Sequence, residues 1–194
     1  MTIRNFALLL GIHWAAAALC TPAFAQAKKA DAPEAKAARI GKPASQEKID
    51  AINLTVMPDG KGLPPGKGTA ADGKTVFQTK CAVCHNDKGE GRPGQYPALV
   101  GGAGTINTPK PVKTVGSYWP YATTIFDYAR RAMPYDQPGS LKPDEYYAVV
   151  AWILNANGII GENEEMNATT LPKVKMPNRD NFLPDQRPDV KAKK

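Results

Sequence analysis

The sequence predicts an all-α domain with long loops, flanked by extended N- and C-terminal segments. Three observations carry that prediction. Apolar residues recur at helical spacing in three stretches, 69–85, 118–132 and 142–158. Glycine and proline crowd the chain between them, most densely in 57–68 and 86–116. Runs that alternate apolar and polar residues, the mark of a half-buried strand, are hard to find.

The chain opens "MTIRNFALLLGIHWAAAALCTPAFA". A basic start at Arg4, an apolar run and the small-residue pattern Ala23-Phe24-Ala25 make residues 1–25 a secretory signal peptide, with cleavage expected after Ala25. The run from Phe6 to Cys20 falls short of the ~20 residues that span a bilayer, and it contains His13, which argues against an uncleaved anchor. Leu19 before Cys20 is not the small residue that lipid attachment wants. The mature protein is therefore expected in the periplasm, without a membrane span. Residues 26–56 follow as an Ala/Lys/Pro linker ("QAKKADAPEAKAARIGKPA") and an N-terminal strap, "SQEKIDAINLTV", readable as a helical turn or as extended chain. The domain proper is expected over 57–158, and 159–194 as a polar, proline-rich tail wrapping the surface.

Charge narrows the partners. The formal net charge is +7, falling to +6 with Arg4 removed, 24 basic against 18 acidic residues. Many of the lysines sit in the end segments, and no basic helix interleaves aromatics, so nucleic acid is not an expected partner. A basic surface that steers an acidic protein fits better.

Each helix has its own start and stop signals. Thr69 is the expected N-cap of the first, with Val76, Phe77, Cys81 and Cys84 along one face. The second is expected to begin with Pro120 in its first turn, to bury Tyr121, Ile125, Phe126, Tyr128 and Ala129, and to stop at Pro134. The third begins at Pro143 with two acids behind it, presents Val149, Val150, Ile153 and Leu154, and ends at Gly158. Trp152 is expected in the core where the third helix meets the first.

The first helix delivers "CAVCH", residues 81–85. With the signal peptide gone, Cys81, Cys84 and His85 are the only cysteines and the only histidine. A structural zinc ordinarily takes four Cys or His ligands, and the second pair is absent. A thioredoxin-like dithiol needs a βαβ setting that does not precede this motif. C-x-x-C-H is the attachment signature of covalent haem, and a large cofactor also accounts for loops longer than a compact domain normally carries. One haem c is therefore expected, its iron held by His85. The other imidazole nitrogen needs a carbonyl to fix the ring, and Pro97 in "YPALVGG" is the candidate, although a plain loop proline explains the residue equally well. Leu99 is expected to pack on the haem.

A sixth ligand follows by elimination. Methionine is the usual partner of histidine in electron carriers, and Met57, Met133, Met166 and Met176 are available. Met133, in the break between two helices, is favoured over Met166 in a polar tail and over the proline-followed Met57 and Met176. Arg130 or Arg131 can pair with a haem propionate, or simply sit at a solvated helix end. Tyr118 and Trp119 can bond propionates or bury their rings.

The helix leading into CAVCH, "YPALVGG", the "AMP" methionine and the terminal helix resemble a class I cytochrome c domain over about 69–158. More specifically, "PDGKGLPPGKGTAADG", "TVGSYWPYATTIFDYARRAMP" and "LPKVKMPNRDNF" resemble the cytochrome subunit of bacterial Sox sulfane dehydrogenases and related sulfite dehydrogenases. The resemblance implies a class I cytochrome c fold. It also implies a molybdenum-containing partner subunit that performs the oxidation, and a downstream cytochrome or oxidase that takes the electron on. Some members carry two haem motifs, and this chain carries one. Catalysis would lie in the partner, not here. The rival readings are a free-standing electron carrier and a five-coordinate haem that binds a small molecule, the latter requiring that Met133 is not a ligand.

Overall fold

A computed structural model describes residues 41–183, 185 and 187. The expected signal peptide, most of the low-complexity linker and the end of the tail lie outside the described residues. From Ala44 on, the description concerns one folding unit.

The elements in order are α1 (Gln46–Ile52), β1 (Lys67–Gly68), α2 (Ala70–Lys80), α3 (Ala82–His85), α4 (Ala122–Ala132), α5 (Pro143–Ala156) and β2 (Met166–Asn167). Two 3-10 turns follow, at Leu171–Lys173 and Arg179–Asn181. The protein is all-α apart from one minimal antiparallel pair, in which Lys67 faces Asn167 and Gly68 faces Met166. The strap thus contains a helix, α1, with no buried residue.

α2 starts at a reciprocal cap. The Thr69 hydroxyl accepts from the Asp72 N–H at 3.2 Å, and the Asp72 carboxylate accepts from the Thr69 N–H at 3.1 Å. The Thr69 hydroxyl, which donates to the Asp72 carboxylate at 2.7 Å, and then the Thr69 N–H hold that carboxyl below its usual range. The helix does not run unbroken into CAVCH as its spacing suggests. It ends at Lys80, and Cys81 (φ −123°, ψ −37°) separates it from the single turn α3. The Cys81 carbonyl then accepts from both the Cys84 and His85 N–H groups, at 3.1 and 2.9 Å, which holds the turn together.

α5 is the central helix, buried almost continuously from Tyr146 to Leu154. It crosses α2 at contact distance because Gly73 has no side chain: a Cβ there would lie 1.9 Å from the Ala148 carbonyl oxygen. The close crossing lets Phe77 and Trp152 stack with centroids 3.7 Å apart. Phe126 of α4 packs on Tyr147 of α5 at 4.6 Å.

α4 begins two residues later than Pro120 suggests. Tyr121 is its cap and Pro120 stands outside it. Its buried face is Ala122, Thr123, Ile125, Phe126 and Asp127, whereas Tyr128, expected inside, is 49% exposed. Turning Tyr128 outward sets its ring edge-on to Trp119 at 5.8 Å.

The tail does more than wrap. Met166, Leu171 and Met176 are fully enclosed in the core beside Val56 of the strap. Their spacing of five residues matches neither helix nor strand, because Met166 lies in β2, Leu171 in a 3-10 turn and Met176 in irregular chain.

Candidate haem site

The proximal side is built from one loop. His85 Nδ1 lies 3.0 Å from the Pro97 carbonyl. A carbonyl can only accept, so Nδ1 carries the proton and Nε2 keeps its lone pair for a metal. The loop that brings Pro97 there is over-determined. Gly91 donates its N–H to the His85 carbonyl at 2.9 Å, and its own carbonyl accepts from Asn86 Nδ2 at 2.8 Å. The Asn86 Oδ1 accepts from Arg92 Nε at 3.2 Å, while Arg92 also reaches the Val83 carbonyl at 2.9 Å. Asn86 has φ 60° and ψ 166°, a region L residues rarely enter, immediately after the histidine. Asn86, Gly91 and Arg92 were not singled out by the motif; an Asn and a Gly in a tight loop are the only local hint of such backbone.

The far end of the loop is tied to α5. Asn157 Nδ2 donates to the Leu99 carbonyl at 3.1 Å, and its Oδ1 accepts from the Gly101 N–H at 3.1 Å. Leu99 is left half-buried against the core, as are Cys81, Val76, Trp119 and Ala129.

The two thiols are not bridged to each other. Burial, and secondarily Cys84, push the Cys81 thiol up to about 11. A redox dithiol needs the opposite, a thiol depressed toward neutrality. Among the described residues no group of three or more His, Cys, Asp and Glu is placed to hold a metal ion, so a zinc site lacks its ligands. Two unbridged thiols, an imidazole with its back nitrogen anchored, and a fringe of half-buried apolar side chains are what a covalent haem needs.

The methionines separate clearly. Met166 and Met176 are enclosed by protein, and Met57 is 48% exposed at the tip of the strap. Met133 is half-buried at the end of α4, its N–H bonded to the Ala129 carbonyl at 3.0 Å.

The candidate propionate residues sit in three settings. Tyr118 and Trp119 lie just before α4. The Tyr118 carbonyl accepts from the buried Asn178 at 2.9 Å, and its ring meets Phe182 of the tail. Arg131 is ion-paired with Asp127 of its own helix. The charge of Arg130 acts on the phenols of α5: burial pushes Tyr147 up to about 12, and the positive charge of Arg130 opposes that shift.

This arrangement defines a mostly helical haem protein of the electron-transfer kind. The cytochrome c family profile matches residues 70–157. The crystal structure of the sulfane dehydrogenase SoxCD from Paracoccus pantotrophus contains a chain 40% identical to this one, covering 78% of this chain and 74% of that one, with a TM-score of 0.71. Thiosulfate dehydrogenase (TsdBA) from Marichromatium purpuratum, as isolated, is more distant: 24% identity over 44% of this chain and 17% of that one, with a TM-score of 0.31. A search of curated proteins finds no match. The chain belongs to the cytochrome c family. It carries one covalent haem c, and CAVCH is the attachment motif. When bound, the haem iron supplies one-electron chemistry. No helix among the described residues is long and apolar enough to cross a membrane.

Proposed function

We propose that this cytochrome is the electron-accepting subunit of a periplasmic, molybdenum-containing sulfane or sulfite dehydrogenase. One observation carries the reading. The similarity to the SoxCD chain extends over 78% of the sequence, well beyond residues 70–157 that any cytochrome c domain occupies. The strap and tail are the natural additions for a subunit with one dedicated partner.

In this reading Cys81 and Cys84 would hold the haem covalently, and His85 and Met133 would ligate its iron. Pro97 would fix the imidazole, Leu99 would pack on the haem, and Tyr118, Trp119 and one of Arg130 and Arg131 would meet its propionates. The protein's own work is limited: it keeps the His85 Nδ1–H donating to the Pro97 carbonyl, lines the site with apolar side chains, and would present an edge to the donor. With His85 and Met133 both holding the iron, substrate chemistry would fall to the partner chain.

The test is an affinity pull-down of the mature protein from periplasm, followed by an absorption spectrum of what elutes. Co-elution of a molybdenum-containing dehydrogenase whose sulfur substrate reduces the haem is expected. A cytochrome that elutes alone and is not reduced by sulfur substrates would instead be a free carrier.

A further inference from the structure

Asp127 is 6% exposed, in a helix whose other buried side chains are mainly apolar. A buried carboxylate is costly unless its oxygens are matched. Here both are. Oδ1 accepts from the Val56 N–H at 2.8 Å, across 71 residues of sequence, and Oδ2 pairs with Arg131. One turn earlier on α4, the Thr123 hydroxyl donates to the Pro58 carbonyl at 3.3 Å. Thr123, Asp127 and Arg131 are spaced i, i+4, i+8 and so form one row along the helix. The first two of them grip the end of the strap and the loop that continues it, at Pro58 and Val56 respectively.

The strap segment they grip is itself shaped and covered. The Met57 N–H bonds to the Lys61 carbonyl at 2.8 Å, closing a turn, and Val56 is buried beneath it. Gly60 lies against Pro172 of the tail so closely that a Cβ would come within 2.5 Å of its ring. The last turn of α4, which carries Arg131, ends at Met133. The segment that presents Met133 is therefore tied to chain that lies outside the haem domain matched at 70–157.

We propose that the strap is a clasp on the methionine side of the haem, and that Asp127 is the positioning residue that fastens it, holding Met133 in the ligating position. This rests on the reading of Met133 as the axial ligand. Releasing the methionine requires the end of α4 to loosen, and the clasp opposes that. The apparent affinity of a competing ligand scales with the fraction of molecules whose methionine is off the iron. Weakening the clasp raises that fraction without removing the methionine.

The test is a titration of the ferric holoprotein with imidazole, read by its absorption spectrum. Asp127→Ala removes the acceptor for Val56 along with the ion pair, and Thr123→Val removes only the bond to Pro58. Asp127→Ala is expected to bind imidazole about tenfold more tightly, and Thr123→Val to shift in the same direction by less. Both should keep the far-red methionine–iron band when imidazole is absent. A purely structural Asp127 would lower the melting temperature and leave imidazole affinity where it was, which overturns the proposal. Met133→Ala separates the two levels. If it retains the far-red band, Met133 is not the ligand and the underlying reading falls. If it loses the band while both clasp variants bind imidazole as the parent does, the clasp alone falls.

Discussion

Gly91 lies so close to Pro97 that a Cβ on it would stand 2.7 Å from the Pro97 carbonyl carbon. That carbonyl is the one His85 Nδ1 bonds. Gly91 also has φ +70°, which L side chains rarely adopt. Gly91→Ala is therefore expected to destabilise the protein by at least ~1 kcal/mol. It should also displace the histidine's anchor. Comparing the midpoint potential and the melting temperature with those of the parent checks both parts. A normal potential in a destabilised variant would mean the anchor had not moved.

The crossing of α2 and α5 yields a second prediction. Gly73→Ala places a methyl 1.9 Å from the Ala148 carbonyl oxygen, and the neighbours are backbone, which cannot swing away. The helices must separate, and the Phe77–Trp152 stack with them. A loss of about 1–3 kcal/mol or more is expected in urea unfolding, with tryptophan emission altered in the folded baseline.

Leu171 tests the role of the tail. It is fully enclosed, in a 3-10 turn outside the haem domain. Leu171→Ala is expected to cost ~2–5 kcal/mol, the range for a core leucine. A tail that merely lay on the surface would lose under ~0.5 kcal/mol.

The cap of α2 gives a pH dependence. The Thr69 side chain, and then the Thr69 backbone, hold the Asp72 carboxyl below its ordinary 3.8. A depressed carboxyl stabilises the fold fully above its unfolded value and ceases to do so as pH falls through its folded value. Asp72→Asn is thus expected to melt lower than the parent at neutral pH. The gap should close as pH is taken down from about 4, the ordinary carboxylate range. A gap that stays constant across that window would mean that the charge does not contribute.

What could be read along the chain was local. Thr69, CAVCH and Pro143 sit in short patterns whose physics is complete within a few residues, and the elements they mark are present. The Pro97 carbonyl was found the same way, because a loop of a dozen residues has few places to put it. Long-range ties left no such pattern. Asp127 bonds Val56 across 71 residues, Asn178 bonds Tyr118 across 60, and Asn157 bonds Gly101 across 56. In each case one polar side chain meets backbone, and any Asp or Asn is equally eligible on paper. Met166 sits in a polar stretch and Met176 before a proline, so neither window reads as core, and the core reaches out to them singly. The break at Cys81 was hidden for the opposite reason: helical spacing continues through it.

The pairing of β1 with β2, and the enclosure of Met166, Leu171 and Met176, set an order of events. Residues 81–85 are synthesised well before residues 166–176. Until those arrive, the interior lacks three of its fillers and β1 has no mate.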